Sequence, residues 1–121
     1  MRIRPINPSD MNEIRKIHSK YYNYDLPEDH YLCSFIVEDE NGKMITAGGI
    51  RTIAEIIAVT DKEISPRIRR EALMMLLRAS NLVCNNNGYN QFHAFVTDEK
   101  WYNQLLRHGF NITNGKALIY G

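Results

Sequence analysis

The chain has 121 residues, of which 44% are hydrophobic, and its 15 Lys and Arg residues nearly balance its 14 Asp and Glu residues. This composition argues against a disordered chain and against a broad basic surface for nucleic acid. We predict one domain over residues 1–121, because the chain is long enough for one core and too short for two. Cys33 and Cys84 are expected to be buried free thiols, and no run approaches the roughly 20 apolar residues of a membrane span. A cytoplasmic protein is therefore expected.

The first part of the chain predicts a strand, a helix and a hairpin. Residues 1–6 alternate apolar and basic side chains as a strand does, and the sequence PSD that follows starts a helix whose apolar stripe runs to Tyr21. The polar, proline-containing residues 23–30 predict a loop. Two strands, residues 31–39 and 43–52, flank the turn sequence ENG and are typical of a hairpin.

The second part of the chain predicts alternating strands and helices. The sequence AEIIAVT at residues 54–60 is nearly all apolar, which indicates a central strand, and residues 91–96 alternate as a further strand. Between them Ser65 and Pro66 start a helix, in which the Ser65 hydroxyl is expected to accept from an unpaired backbone N–H. The residues predicted to form its inward stripe are Ile68, Ala72, Met75, Leu76, Ala79 and Val83.

The last predicted elements are a helix and a hairpin. Thr97 or Asp98 is predicted to cap a helix that runs through Arg107 and ends at Gly109. The sequence NG at residues 114–115 lies between two short strand-like runs and is the strongest local hairpin signal in the chain.

The helix that starts at Pro66 has an unusually cationic first turn. Arg67, Arg69 and Arg70 lie where the helix dipole favours acidic side chains by roughly 0.3 to 1 kcal/mol per charge. An anion bound at the helix start would relieve this conflict, and a solvated charged face is the alternative interpretation. Helical spacing puts Arg67, Arg70 and Arg78 roughly opposite the predicted inward stripe.

Taken together, the segments IRPINPSDMNEI (residues 3–14), RIRREA (residues 67–72) and VTDEKWYNQLLRHGF (residues 96–110) resemble the GNAT superfamily of N-acetyltransferases. IRPINPSDMNEI (residues 3–14) resembles the family's opening strand, turn and helix, and VTDEKWYNQLLRHGF (residues 96–110) resembles its strand-helix unit that ends in Gly-Phe. RIRREA (residues 67–72) falls on the family's coenzyme-binding pattern. The resemblance implies an α+β fold with α/β/α layers, in which a GNAT-like mixed, mostly antiparallel sheet of about 6–7 strands carries three to four helices on its faces.

The activity implied by this resemblance is acyl-CoA-dependent N-acyl transfer, in which acetyl moves from acetyl-CoA to a primary amine of a small molecule or protein. In such proteins the helix start and its leading arginine cradle the coenzyme pyrophosphate. Glu55 would deprotonate the amine, and Tyr102 would protonate the departing thiolate. Backbone N–H groups near Val59 would polarise the thioester carbonyl. The coenzyme contacts at the helix start would come from Arg67, Ile68, Arg69, Arg70, Glu71 and Ala72.

A second hypothesis is a module of the same fold that binds CoA without catalysis. It rests on Arg70, which stands where the family pattern has glycine, and on Leu105, which stands where many members have a tyrosine. His93 is a conceivable base, although a structural role is the simpler interpretation. The remaining histidines are too scattered to suggest a metal site. The expected partners are thus an acyl-CoA and an amine acceptor, with no metal, and a homodimer stays open.

Overall fold

A computed structural model of the chain describes residues 1–113 and 115–121. They form two compact units, residues 1–52 and residues 53–121. The single domain predicted for residues 1–121 stays a prediction. The elements of the first unit are β1 (Arg2–Pro5), α1 (Met11–Tyr21), β2 (Tyr31–Glu38) and β3 (Met44–Arg51), and those of the second are α2 (Pro66–Asn86) and α3 (Glu99–Arg107).

The first unit is built on an antiparallel sheet with the strand order β1-β2-β3. Ile36 lies on the middle strand and is fully buried. In the turn between β2 and β3, Gly42 adopts a φ of 80°, which favours glycine, and the Asp39 N–H donates to the Lys43 carbonyl at 2.9 Å. The strand, helix and hairpin predicted for this part of the chain are confirmed.

Strands β2 and β3 approach closely at Gly49, which pairs with Ser34. A Cβ at Gly49 would lie 2.0 Å from the Cys33 carbonyl oxygen, so any larger residue forces the backbone to shift. A Cβ at the neighbouring Gly48 would meet nothing within 4 Å. The hairpin therefore requires glycine at position 49 for packing and does not require it at position 48.

A network of ion pairs joins β1, β2 and the turn before α1. Glu38 is only 2% exposed and accepts from Arg2 and from Arg4, whose Nε lies 3.0 Å from Glu38 Oε2. Arg4 also donates to both carboxylate oxygens of Asp10 at 2.9 Å. Hydrogen bonds from Arg4 and then from the Asn7 N–H lower the pKa of Asp10 to about 2. Bonds from Arg2 and Arg4 lower the pKa of Glu38 as well.

The predicted fold class is wrong. The GNAT-like sheet of 6–7 strands is not formed, because the described residues contain three strands, all within residues 2–51, and three α-helices. The strands predicted at residues 54–60 and 91–96 meet in a single parallel bridge, between Glu55 and His93.

The run at residues 54–60 was expected to be central because it is nearly all apolar. Instead Ile57 is 74% exposed and Val59 is 97% exposed. A strand is stabilised by backbone bonds to a neighbour, and two bonds join this run to the segment that holds His93. They run from the Ile56 N–H to the His93 carbonyl at 2.9 Å and from the His93 N–H to the Ala54 carbonyl at 2.8 Å.

Helix α2 starts at Pro66 as predicted, but the Ser65 hydroxyl makes no capping bond. The predicted inward stripe of this helix is also wrong, because every one of its six members is exposed. The same spacing occurs in a second row, and its buried or half-buried members are Arg69, Leu73, Met74, Leu77, Ser80 and Cys84. Both rows have helical periodicity, so the sequence pattern alone could not choose between them.

Helix α3 begins and ends as predicted. Asp98 caps it by accepting from the Lys100 N–H at 3.0 Å. At its other end Gly109 has a φ of 97°, and the Phe110 N–H donates back to the Leu105 carbonyl at 3.1 Å, which is the bond of a Schellman turn. This turn sets the direction in which Phe110 leaves the helix.

The C-terminal hairpin predicted around NG is not formed by the described residues. Residues 110–113 and 116–120 contain no strand, and Leu118, Ile119 and Tyr120 are exposed. Asn114, the first residue of the predicted turn, lies outside the described residues.

Candidate functional site

Three arginines line an open groove along α2, which we call the arginine groove. Its volume is about 540 Å³. The members repeat every three or four residues, so they share one side of the helix. They are Arg67, Arg70, Glu71, Met74, Met75 and Arg78.

The arginine groove carries more positive than negative charge. Its one carboxylate, Glu71, lies 3.8 Å from the Nε of Arg67, and that arginine side chain is 84% exposed. An exposed pair at this distance stabilises a helix by at most about 1 kcal/mol, so an incoming anion can compete for Arg67. Neither Arg70 nor Arg78 has an ion-pair partner among residues 1–113 and 115–121. No acidic residue lies in the first turn of α2, which leaves the positive end of the helix dipole uncompensated there.

A second opening, which we call the aromatic cavity, adjoins the arginine groove. Its volume is about 470 Å³, and it shares Met74 and Arg78 with the groove. Its lining comes from three segments: Met74, Leu77, Arg78 and Asn81 of α2, residues 91–94, and residues 108–111 with Thr113. The two openings are therefore neighbours, one lined by arginines and the other by aromatic rings.

The aromatic cavity is shaped by two local features of the backbone. Phe110 follows the Schellman turn after α3, and its ring packs edge-to-face on Phe92 with centroids 5.9 Å apart. The bridge with Glu55 fixes the backbone of His93. Backbone hydrogen bonds thus position both Phe110 and His93 in the lining of the cavity.

The imidazole of His93 is half-buried, and its Nδ1 has no hydrogen-bond partner in the described part of the chain. A buried polar atom that is left unpaired costs about 1 to 3 kcal/mol. His93 therefore combines an unsatisfied atom with a place in the cavity wall.

The sequence-predicted coenzyme residues divide into two groups in the structure. Arg67, Arg70 and Glu71 meet in the arginine groove. Ile68 and Ala72 are exposed away from it, and Arg69 turns to the inward row, where its Nε is buried.

The other predicted site residues line neither opening. Val59 is almost fully exposed, Tyr102 is partly exposed on α3, and Glu55 is exposed beside the backbone of His93. The structure thus brings part of the predicted coenzyme site together and leaves both predicted catalytic side chains outside the cavity walls.

Sequence reasoning did not assign the aromatic cavity. Phe110 was recognised only as the end of a family pattern, and His93 was interpreted as structural. The available signal was the Gly-Phe pair after α3, because a glycine at that position turns the next residue back toward the helix.

The described residues contain no cluster of three or more His, Cys, Asp or Glu side chains placed to hold a metal ion. No helix within residues 1–113 and 115–121 has the length and apolarity needed to cross a bilayer. No protein-family model, curated protein or solved structure matches this chain. The GNAT resemblance thus stays a hypothesis that rests on the quoted residues alone.

Proposed function

We propose that the protein is an acyl-CoA-dependent N-acyltransferase that moves an acetyl group from acetyl-CoA to a primary amine. The observation that carries the proposal is that the arginine groove and the aromatic cavity lie side by side and share Met74 and Arg78. Acyl-CoA has the matching chemistry, because it is strongly anionic at its nucleotide end and neutral along its pantetheine arm. Free Cys33 and Cys84 agree with a cytoplasmic location, in which thiols stay reduced.

In this proposal the coenzyme's diphosphate binds at the start of α2. Arg67 and Arg70 form charge-assisted hydrogen bonds with phosphate oxygens, for which the planar guanidinium is well suited. The helix dipole adds to the attraction, since the first turn carries no acidic side chain. Arg70 thereby contributes a contact that the family's glycine at this position would not.

The acyl transfer takes place where the groove meets the cavity. The amine nitrogen attacks the thioester carbonyl, the C–N bond forms, the C–S bond breaks, and the amine proton passes to a base. His93 lines the cavity and is the base in this proposal. Glu55, Tyr102 and the N–H groups near Val59 line neither opening, so the roles that the family resemblance implies for them stay predictions.

Release of free coenzyme thiol from acetyl-CoA tests this proposal. The full chain is mixed with acetyl-CoA and a panel of primary amines, and thiol release that depends on the amine is followed with a thiol reagent. We expect turnover that falls at least about tenfold in His93→Gln, since a general base contributes roughly 10²–10⁴-fold. Arg107→Gln is the control, because Arg107 is exposed on α3 outside both openings. Absence of amine-dependent thiol release with every amine would contradict the transferase.

The second candidate function is a module that binds an acyl-CoA and does not transfer its acyl group. It is favoured by one observation, that the side chains of Glu55 and Tyr102 line neither opening. Coenzyme binding that is sensitive to Arg67→Gln, without thiol release in the presence of any amine, would support this module over the enzyme.

A further inference from the structure

The walls of the aromatic cavity give chemical information about the acceptor amine. The cavity volume of about 470 Å³ suits a small molecule rather than a protein segment, since small-molecule sites have volumes of about 300 to 1,000 Å³. Phe92 and Phe110 supply an aromatic wall, and Met74 and Leu77 extend it with apolar surface. Such a wall favours an acceptor with an apolar or aromatic group.

The charged and titratable groups that line the cavity restrict which charged groups an acceptor can carry. Arg78 lies at the end shared with the groove, and His93 and His108 lie in the wall. None of the described residues that line the cavity has a carboxylate. A polyamine or another acceptor with several ammonium groups would therefore lose its hydration without gaining a counter-charge, which is unfavourable. A carboxylate on the acceptor would instead find the guanidinium of Arg78.

We infer that the acceptor is an α-amino acid with an apolar or aromatic side chain and a free carboxylate. This inference rests on the function proposed above. Arg78 pairs with the carboxylate, the Phe92 and Phe110 rings contact the side chain, and the α-amino group lies beside His93, which lines the same cavity. The neutral amine attacks the thioester carbon, its proton goes to His93 and then to the departing thiolate, and the products are an N-acyl amino acid and free CoA.

Direct binding of three amines to the full chain tests the acceptor class without any coenzyme. The probes for calorimetry are L-phenylalanine, L-phenylalaninol and spermidine. Phenylalaninol keeps the ring and the amine and replaces the carboxylate by a hydroxymethyl group. We expect phenylalanine to bind about tenfold or more tightly than phenylalaninol, as a lost charge-assisted bond implies, and spermidine to bind most weakly.

The variant Arg78→Gln then tests whether Arg78 causes the tighter binding of phenylalanine. In this variant phenylalanine is expected to bind no more tightly than phenylalaninol, whereas Arg107→Gln keeps the wild-type preference. Equal binding of phenylalanine and phenylalaninol to the wild type, tighter binding of spermidine, or an unchanged preference in Arg78→Gln would each overturn the inference. The comparison of the three ligands on the wild-type protein tests the inference even if the variant does not fold.

The two proposals fail in different ways. If acetyl-CoA binds and phenylalanine does not, the acceptor inference is wrong and the proposed function stands. If phenylalanine binds and acetyl-CoA does not, the proposed function is wrong, and the amino acid cannot be its acyl acceptor. If both bind, phenylalanine should also accelerate thiol release from acetyl-CoA, and a failure to do so would overturn the acceptor role.

Discussion

Replacing Arg67 and Arg70 together by glutamine should weaken CoA binding and leave the binding of pantetheine unchanged. Both arginines line the groove in which we place the coenzyme's phosphates. Glutamine keeps much of the length and polarity of the side chain and removes its charge. Pantetheine is the arm of CoA without its phosphates, so it reports on the rest of the surface.

The size of the effect follows from the exposure of the arginines. Two unit charges about 4 Å apart attract by about 1 kcal/mol in water and by about 4 kcal/mol at a less hydrated protein surface. The Arg67 side chain is 84% exposed, which favours the lower value. Loss of about 1 kcal/mol at each arginine gives about 2 kcal/mol in total, which is about a thirtyfold rise in Kd for CoA.

Titration calorimetry at low ionic strength measures this change, and a parallel titration at higher salt should give a smaller ratio because exposed charges are screened. Arg107→Gln on α3 controls for a general loss of positive charge. An unchanged Kd for CoA in the double variant would refute the phosphate role of the groove. Equal losses for CoA and pantetheine would show that the variant perturbs α2 rather than a phosphate site.

Three further predictions concern stability. Gly49→Ala should destabilise the chain by about 2 kcal/mol or more, as overpacking does, because its Cβ has no room in the hairpin. Leu105→Ala should cost about 2 to 5 kcal/mol, because this side chain is only 4% exposed. Acid should destabilise the chain as pH falls from about 4 toward 2, because the pKa of Asp10 lies at about 2 in the folded state and near 3.9 when unfolded. Urea midpoints measure all three, and Asp10→Asn should reduce the acid-dependent loss.

Each of these predictions has a matched control. Gly48→Ala should leave the urea midpoint unchanged or raise it, since a Cβ there meets nothing. Leu118→Ala should have almost no effect, because Leu118 is 97% exposed. Asp25→Asn should keep the wild-type acid response, because the exposed Asp25 is not part of the network at Arg4. Equal effects of a variant and its control would contradict the packing or ion-pair account in question.

Local signals in the sequence predicted the elements of the first unit, the start of α2 and both ends of α3. The turn that holds Gly42, the start of α2 at Pro66 and the end of α3 at Gly109 each depend on the backbone preferences of one or two residues. Such preferences act over a few residues and can therefore be recognised without knowledge of the tertiary structure.

Signals that depend on a neighbour elsewhere in the chain were misleading. The apolar run at residues 54–60 predicted a central strand, yet it pairs with another segment only through the bridge between Glu55 and His93. The two rows of α2 have the same period, and only burial in the folded chain, which is greatest at Leu73, shows which one faces inward. The resemblance to a known family extended these errors to the whole sheet, because it assumed strands that the described residues do not form.

Of the candidate site, only the arginine groove could be predicted from the sequence. Charge and helical spacing are both visible in the sequence, so the joint placement of Arg67, Arg70 and Arg78 could be anticipated. The meeting of Phe92 with Phe110 depends on where the chain returns after α3, which local preferences do not determine. The aromatic cavity was therefore found only in the structure.

Native mass spectrometry of the purified protein with acetyl-CoA tests the central claim most directly. The account predicts a one-to-one complex whose added mass is that of the coenzyme, and its near disappearance in the variant that carries both Arg67→Gln and Arg70→Gln. The Arg107→Gln protein should form the complex as the wild type does. Absence of the complex in the wild type, or its full retention in the double variant, would contradict the account.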